Sequence, residues 1–135
     1  MSAVKMPPSI GVWLLIMMVV SGCAGGFGGF QDARLLETPG HKLLVEGIKR
    51  YEDSEYRVAK KTIQFALEEG LSKDERVKAH KYLAFIACVS GQQGTCREEF
   101  AIALELNPKF ELDPAEAGHP IWGPVFRTAK SKTAH

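Results

Sequence analysis

The chain has 135 residues, 45% of them hydrophobic and 24% charged, and its 17 lysines and arginines nearly balance 16 aspartates and glutamates. That neutrality argues against a nucleic-acid ligand and against electrostatic capture by anionic lipid, both of which call for a cationic excess. With the leader and tether described below set aside, about 95 residues remain, enough for one small domain and too few for two.

At the N-terminus Lys5 precedes an uncharged run from Ile10 to Val20, IGVWLLIMMVV. As a helix this run rises about 16 Å, well short of the roughly 30 Å of bilayer hydrocarbon, so it has the proportions of an export signal and not of a permanent span. Val20-Ser21-Gly22-Cys23 follows, with small residues before a cysteine and an aliphatic residue before them, and it resembles the lipobox of bacterial lipoproteins. The resemblance implies a signal peptide over residues 1–22, cleavage before Cys23 and covalent lipid on that residue. One acyl chain binds a bilayer only marginally and several bind firmly, because each buried CH₂ adds about 0.8 kcal/mol. Ala24 stands where an aspartate favours retention at the inner membrane, so outer-membrane attachment facing the periplasm is what the resemblance implies.

Residues 23–40 begin with the lipidated cysteine and continue as a glycine-rich stretch that is costly to order and reads as a tether. Within it Phe27 and Phe30 are set to touch the membrane surface or a partner, or to dock on the domain. The domain is expected over residues 41–129, and residues 130–135 as a frayed tail. Its pattern is helical. Leu43, Leu44, Gly47, Ile48 and Tyr51 recur at spacings of three and four after Pro39-Gly40. Tyr56, Ala59, Ile63, Ala66 and Leu67 form a second ladder that ends at Gly70. Ser72 and Glu75 fit a capping box ahead of a third, with Val77, Tyr82, Leu83, Ile86 and Ala87. After Ser90-Gly91, a fourth helix from about Thr95 to Leu106 presents Cys96, Phe100, Ala103 and Leu104, and Asn107-Pro108 stops it.

A shift of 37 residues superposes Gly47 on Ala84, Ala59 on Cys96, Ile63 on Phe100 and Ala66 on Ala103. Small residues fall where the helices of a hairpin approach closely, and larger ones where hairpins stack. On these residues the chain resembles the tetratricopeptide repeat, the second copy better than the first, whose closing proline position is Leu71. The fold expected is all-α: two tetratricopeptide-like helical hairpins with a short C-terminal capping helix. Two repeats are fewer than an isolated solenoid needs. Asp113-Pro114-Ala115-Glu116 and an element starting near Gly123-Pro124, with Phe110, Leu112, Ile121, Trp122, Val125 and Phe126, supply the cap. Trp122 and Phe126 are expected to be buried in it, with partner anchoring as the alternative.

Cys88 and Cys96 fall at the facing ends of two antiparallel helices, close enough for a disulfide in an oxidising compartment; two buried thiols are the alternative. A catalytic dithiol or a zinc site lacks the required spacing and histidines. His41, His80, His119 and His135 are scattered. Glu68-Glu69 and Glu98-Glu99 diverge by about 100° on a helix, so neither doublet aims two carboxylates at one point. No phosphate loop, nucleophile elbow or metalloprotease helix is present. No catalytic residue, metal ligand, cofactor other than the lipid, or small-molecule substrate is therefore assigned, and an enzyme is not expected.

The first helix of each hairpin lines the concave face of such a stack. Lys42, Glu46, Lys49 and Arg50 on one copy, with Lys78, His80, Lys81 and Tyr82 on the other, predict a mixed, mildly basic surface for an acidic or C-terminal peptide segment. The lipobox, the paired repeat and the ending Leu112 to Phe126, LDPAEAGHPIWGPVF, together resemble the TssQ family of type VI secretion-associated lipoproteins. That resemblance implies an accessory protein of an envelope-spanning secretion apparatus. A pilotin-like chaperone of an outer-membrane component and a structural lipoprotein tethering the envelope stay open as alternatives.

Overall fold

The computed structural model describes residues 38–133, which fall within one compact unit, Leu35–His135. The signal segment, Cys23, Phe27 and Phe30 lie outside the described residues.

Six helices follow one another among the described residues: α1 (Pro39–Glu52), α2 (Tyr56–Glu69), α3 (Lys73–Val89), α4 (Gln93–Leu106), α5 (Pro114–Ala117) and α6 (Gly123–Thr133). Helices α1 and α2 form one antiparallel hairpin and α3 and α4 a second; α3 packs on the first hairpin and α6 on α4. The fold is all-α, with two tetratricopeptide-like hairpins and a short C-terminal helical cap.

The 37-residue period is written into the backbone. Moved by that interval, α2 coincides with α4 end for end, and the last residue of α1 falls on the last residue of α3. The turns match bond for bond. Asp53, Ser54 and Glu55 donate their N–H groups to Lys49, Tyr51 and Arg50, and Ser90, Gly91 and Gln92 donate to the equivalent Ile86, Cys88 and Ala87. Ser54 and Gly91 therefore share a left-handed backbone, with φ of 63° and 75°. Glycine adopts it freely, whereas the serine at the same place in the first turn carries a Cβ penalty.

Local chemistry sets the helix ends. Thr38 accepts from the His41 N–H and Pro39 occupies the first turn, so α1 begins two residues ahead of His41, where the apolar ladder alone starts it. Ser72 and Glu75 form the capping box of α3. The Glu75 carboxylate accepts from the Ser72 hydroxyl at 2.7 Å and its N–H at 2.9 Å, and lies 2.7 Å from His41 Nδ1. The Ser72 hydroxyl, and after it His41, hold the Glu75 carboxyl below its ordinary value of 4.5. The folded form binds that proton less readily than the unfolded chain does. Its stabilisation is therefore full above the ordinary value and lost as pH falls through the lower folded one. Urea unfolding of Glu75→Gln is expected to show a loss of about 1 kcal/mol at pH 7 that shrinks towards pH 3; a loss independent of pH would count against this origin.

Within a hairpin the two helices touch where side chains are small. A Cβ on Gly47 would stand 2.5 Å from Ile63 Cγ1 and 3.2 Å from its backbone nitrogen, and one on Gly40 would run into the Gly70 carbonyl oxygen. Ala59, Ala66, Ala84, Ala103 and Cys96 are fully buried along the same seams. Leu44, Ile63, Leu83 and Ile86 fill the first core cluster; Phe85, Phe100, Leu104, Leu112, Trp122 and Phe126 fill the second. Tyr51 and Tyr82 pack against both. An unbroken file of aromatic rings thus runs from Tyr56 through Tyr51, Tyr82 and Phe85 to Trp122, and from Phe85 through Phe100 and Phe126 to Phe110.

The cap is part of the core. Trp122, 7% exposed, stacks on Phe85 with centroids 4.4 Å apart, and Phe126 is 3% exposed. Helix α6 continues through Thr133, into the stretch expected to fray. Lys130 explains the difference: its ammonium donates to the Phe110 carbonyl at 3.1 Å and pairs with Glu111. Residues 134–135 lie outside the described residues.

Candidate partner-binding site

Cys88 and Cys96 form a disulfide with Cα atoms 5.1 Å apart, joining the last turn of α3 to the first of α4. Both residues are buried, at 3% and 0% exposure, so the bond is a structural staple and not an accessible redox centre.

The eight residues read as partner-binding divide into two groups. Glu46 accepts from Arg50 Nε at 2.6 Å, Arg50 also reaches Glu55, and Lys49 pairs with Asp53; all three pairs are largely solvated and local to α1 and its turn. His80 is turned into its own hairpin, with Nδ1 2.7 Å from Glu99 of α4 and only 15% of its side chain exposed. Lys81 is the one buried charge among the described residues. Its ammonium donates to Glu116 of α5 at 2.6 Å and sits 4.9 Å from the Tyr82 ring centroid and 5.5 Å from that of Phe85. Five of the eight residues, Glu46, Lys49, Arg50, His80 and Lys81, are thus met by intramolecular ionic partners, Lys42 is engaged as well, and the mildly basic surface expected from composition is largely neutralised where it stands. Lys78 remains exposed on α3.

Around Lys78 the structure forms a recess of about 250 Å³, lined by Asp74, Val77, Lys78, Lys81, Asn107 and Phe110. Helical spacing places Asp74, Val77, Lys78 and Lys81 on adjoining turns of α3, and the turn after α4 brings Asn107 and Phe110 opposite them. Val77 and the half-buried Phe110 supply an apolar floor, with ammonium groups beside it. Chemically this is a place for one apolar side chain next to a carboxylate. Tyr82 lies outside this lining; its hydroxyl is held above the ordinary phenol value, first by burial and then by Glu116, Glu52 and Asp113. Burial pushes Tyr51 up to about 12, and both rings act as neutral packing groups.

Asn107 and Phe110 were absent from the sequence-derived set. The helix-stopping Asn107-Pro108 marked a turn, and nothing local shows which helix that turn faces. Among the described residues no three His, Cys, Asp or Glu side chains converge as metal ligands, and no helix is long and apolar enough to cross a membrane. No protein family, curated protein or solved structure matches the chain.

Proposed function

We propose that this chain is a lipid-anchored protein-interaction module on the periplasmic face of the outer membrane, without catalytic activity, accessory to the assembly or stability of a type VI-like secretion apparatus. The lipobox-like Val20 to Cys23 and the LDPAEAGHPIWGPVF ending support the anchor and the system. The observation that carries the binding role is the recess beside Lys78, which joins an apolar floor to ammonium groups at the scale of a single side chain. A partner segment enters with an acidic or C-terminal carboxylate against Lys78 and an apolar side chain on Val77 and Phe110. Lys81, in the wall of the recess, keeps Glu116 as its own counter-ion and holds its ammonium near the Tyr82 and Phe85 rings, which leaves Lys78 to meet the partner's carboxylate.

The test is in-cell photo-crosslinking from position 74, on the rim of the recess and with Lys78 intact, with capture from solubilised membranes and Cys23→Ser as control. Envelope components of a secretion apparatus are expected in the captured material and are expected to be depleted in the control. Capture of newly made outer-membrane proteins alone would replace this reading with a pilotin-like chaperone, and capture of cell-wall fragments with a structural tether. Lys78→Glu is expected to lower the yield about tenfold by setting like charges against each other, since one desolvated charge contact is worth about 1–2 kcal/mol.

A further inference from the structure

The outer face of α2 is unlike the rest of the molecule. The core ladder Ala59, Ile63 and Ala66 is fully buried, and on the solvent side of the same helix Val58 and Phe65 stand 46% and 55% exposed. Two cations adjoin them at helical spacing, Arg57 and Lys61, and neither has an ion-pair or hydrogen-bond partner among the described residues. Elsewhere in the first hairpin cations are paired, as Lys49 is with Asp53 and Arg50 with Glu46 and Glu55. The combination is no by-product of the repeat. Thirty-seven residues on, Arg57, Val58 and Lys61 become Gly94, Thr95 and Glu98, and only Phe65 keeps an apolar equivalent in Ile102. Arg57 and Val58 also line a shallow hollow of about 620 Å³ at the α1–α2 turn, with room for a phospholipid headgroup.

We infer that the Arg57–Phe65 face of α2 docks on an anionic phospholipid surface, with Phe65 and Val58 entering the headgroup boundary and Arg57 and Lys61 meeting phosphates. A helix face carrying cations beside an aromatic residue is suited to lie in that interface. The near-neutral balance of the whole chain argues against long-range capture, but screening confines each charge's reach to about 8 Å, so a tethered domain responds to its local patch. Glu68 and Glu69, three and four residues after Phe65, bound the surface on that side, which assigns contact to the Arg57–Phe65 stretch. The geometry agrees with the anchor, on which the inference partly rests. Gly40 lies against Gly70, so the chain enters the domain at the Glu69 end of α2, about 20 Å from Tyr56. Residues 24–38 span at most about 50 Å when extended, enough for the cationic end to reach the bilayer that holds Cys23. Tethering also raises the effective concentration of the surface, so a weak contact suffices to orient the domain.

The experiment is vesicle co-sedimentation of the processed chain, residues 23–135 with Cys23→Ser. Vesicles of phosphatidylglycerol with phosphatidylethanolamine are compared with phosphatidylcholine. Binding is expected only to the anionic vesicles and is expected to fall with salt. Removing both cations together, with Arg57→Gln and Lys61→Gln, is expected to weaken it about 25-fold, at roughly fivefold per cation. Phe65→Ser is expected to weaken it about tenfold. All three positions are exposed, and unchanged melting temperatures confirm that each variant is folded. Equal binding to both vesicle types, or binding unchanged in the variants, would overturn the inference. Acylation is read separately, from the mass of the N-terminal peptide of cell-made protein. An acylated peptide with no vesicle binding counts against the α2 surface alone, and an unmodified peptide counts against the anchor alone.

Discussion

Trp122→Ala is expected to destabilise the domain by about 3–5 kcal/mol, the usual cost of removing a large aromatic side chain from a packed core. The indole stacks on Phe85 at 4.4 Å, and its Nε1 donates to the Glu116 carbonyl at 2.9 Å, tying α5 to the start of α6. Truncation empties the space over Phe85, leaves that carbonyl unpaired, and loosens the segment that brings Glu116 to Lys81. Domains of this size have net stabilities of about 5–15 kcal/mol, so the change removes a large share of the total. A two-hairpin stack has no further repeat to cover Phe85, Phe100 and Leu104, and the cap supplies that cover. Urea unfolding followed by circular dichroism checks it, together with Trp122→Phe, which keeps the stacking, loses the hydrogen bond and is expected to cost about 1–2 kcal/mol. A loss under 1 kcal/mol in the alanine variant would mean that the cap is dispensable.

The Cys88→Ala, Cys96→Ala double variant is expected to lose about 2–3 kcal/mol, seen as a fall in melting temperature of about 10–20 °C. The bond closes a short loop, with partners eight residues apart in sequence, so loop-closure entropy predicts a value at the low end of the usual disulfide range. Most of the effect acts through the unfolded chain, because α3 and α4 still face each other through Ala84, Ala87, Phe100 and the His80–Glu99 pair. The variant should therefore keep its helical circular dichroism at low temperature while its midpoint shifts. Reductant should reproduce the shift in the parent protein and leave the double variant unmoved. Two reactive thiols in unfolded, unreduced protein taken from its own compartment would show that the pair is not bonded there.

Much of the architecture could be read from the chain because its determinants are local. Ladders at three and four residues, the Ser72–Glu75 box and the Asn107-Pro108 stop each act within one or two turns. The 37-residue shift follows from comparing such local patterns, and the helix boundaries on either side of Ser90-Gly91 place Cys88 and Cys96 at facing helix ends with bonded and free forms both open. Charge partners were not legible: His80 finds Glu99 across a hairpin, and Lys81 finds Glu116 at a separation of 35 residues. Each pairing depends on how helices rotate about their axes when small residues let them approach. A signal for the α2 surface existed nonetheless, in the seven-residue spacing of Val58 and Phe65 as a second apolar stripe outside the Ala59, Ile63 and Ala66 ladder.

The sequence by itself determined the helices, their order, their period and the places where they approach, because hydrophobic periodicity and capping act over a few residues. It also carries the lipobox-like segment, whose chemistry is written in adjacent positions. Only the tertiary structure decided which charges are cancelled, which cations stand unpaired beside Phe65, and that Asn107 and Phe110 close a recess against Lys78. Those outcomes depend on distances of a few ångströms between groups remote in the chain, and such distances exist only once the helices have packed.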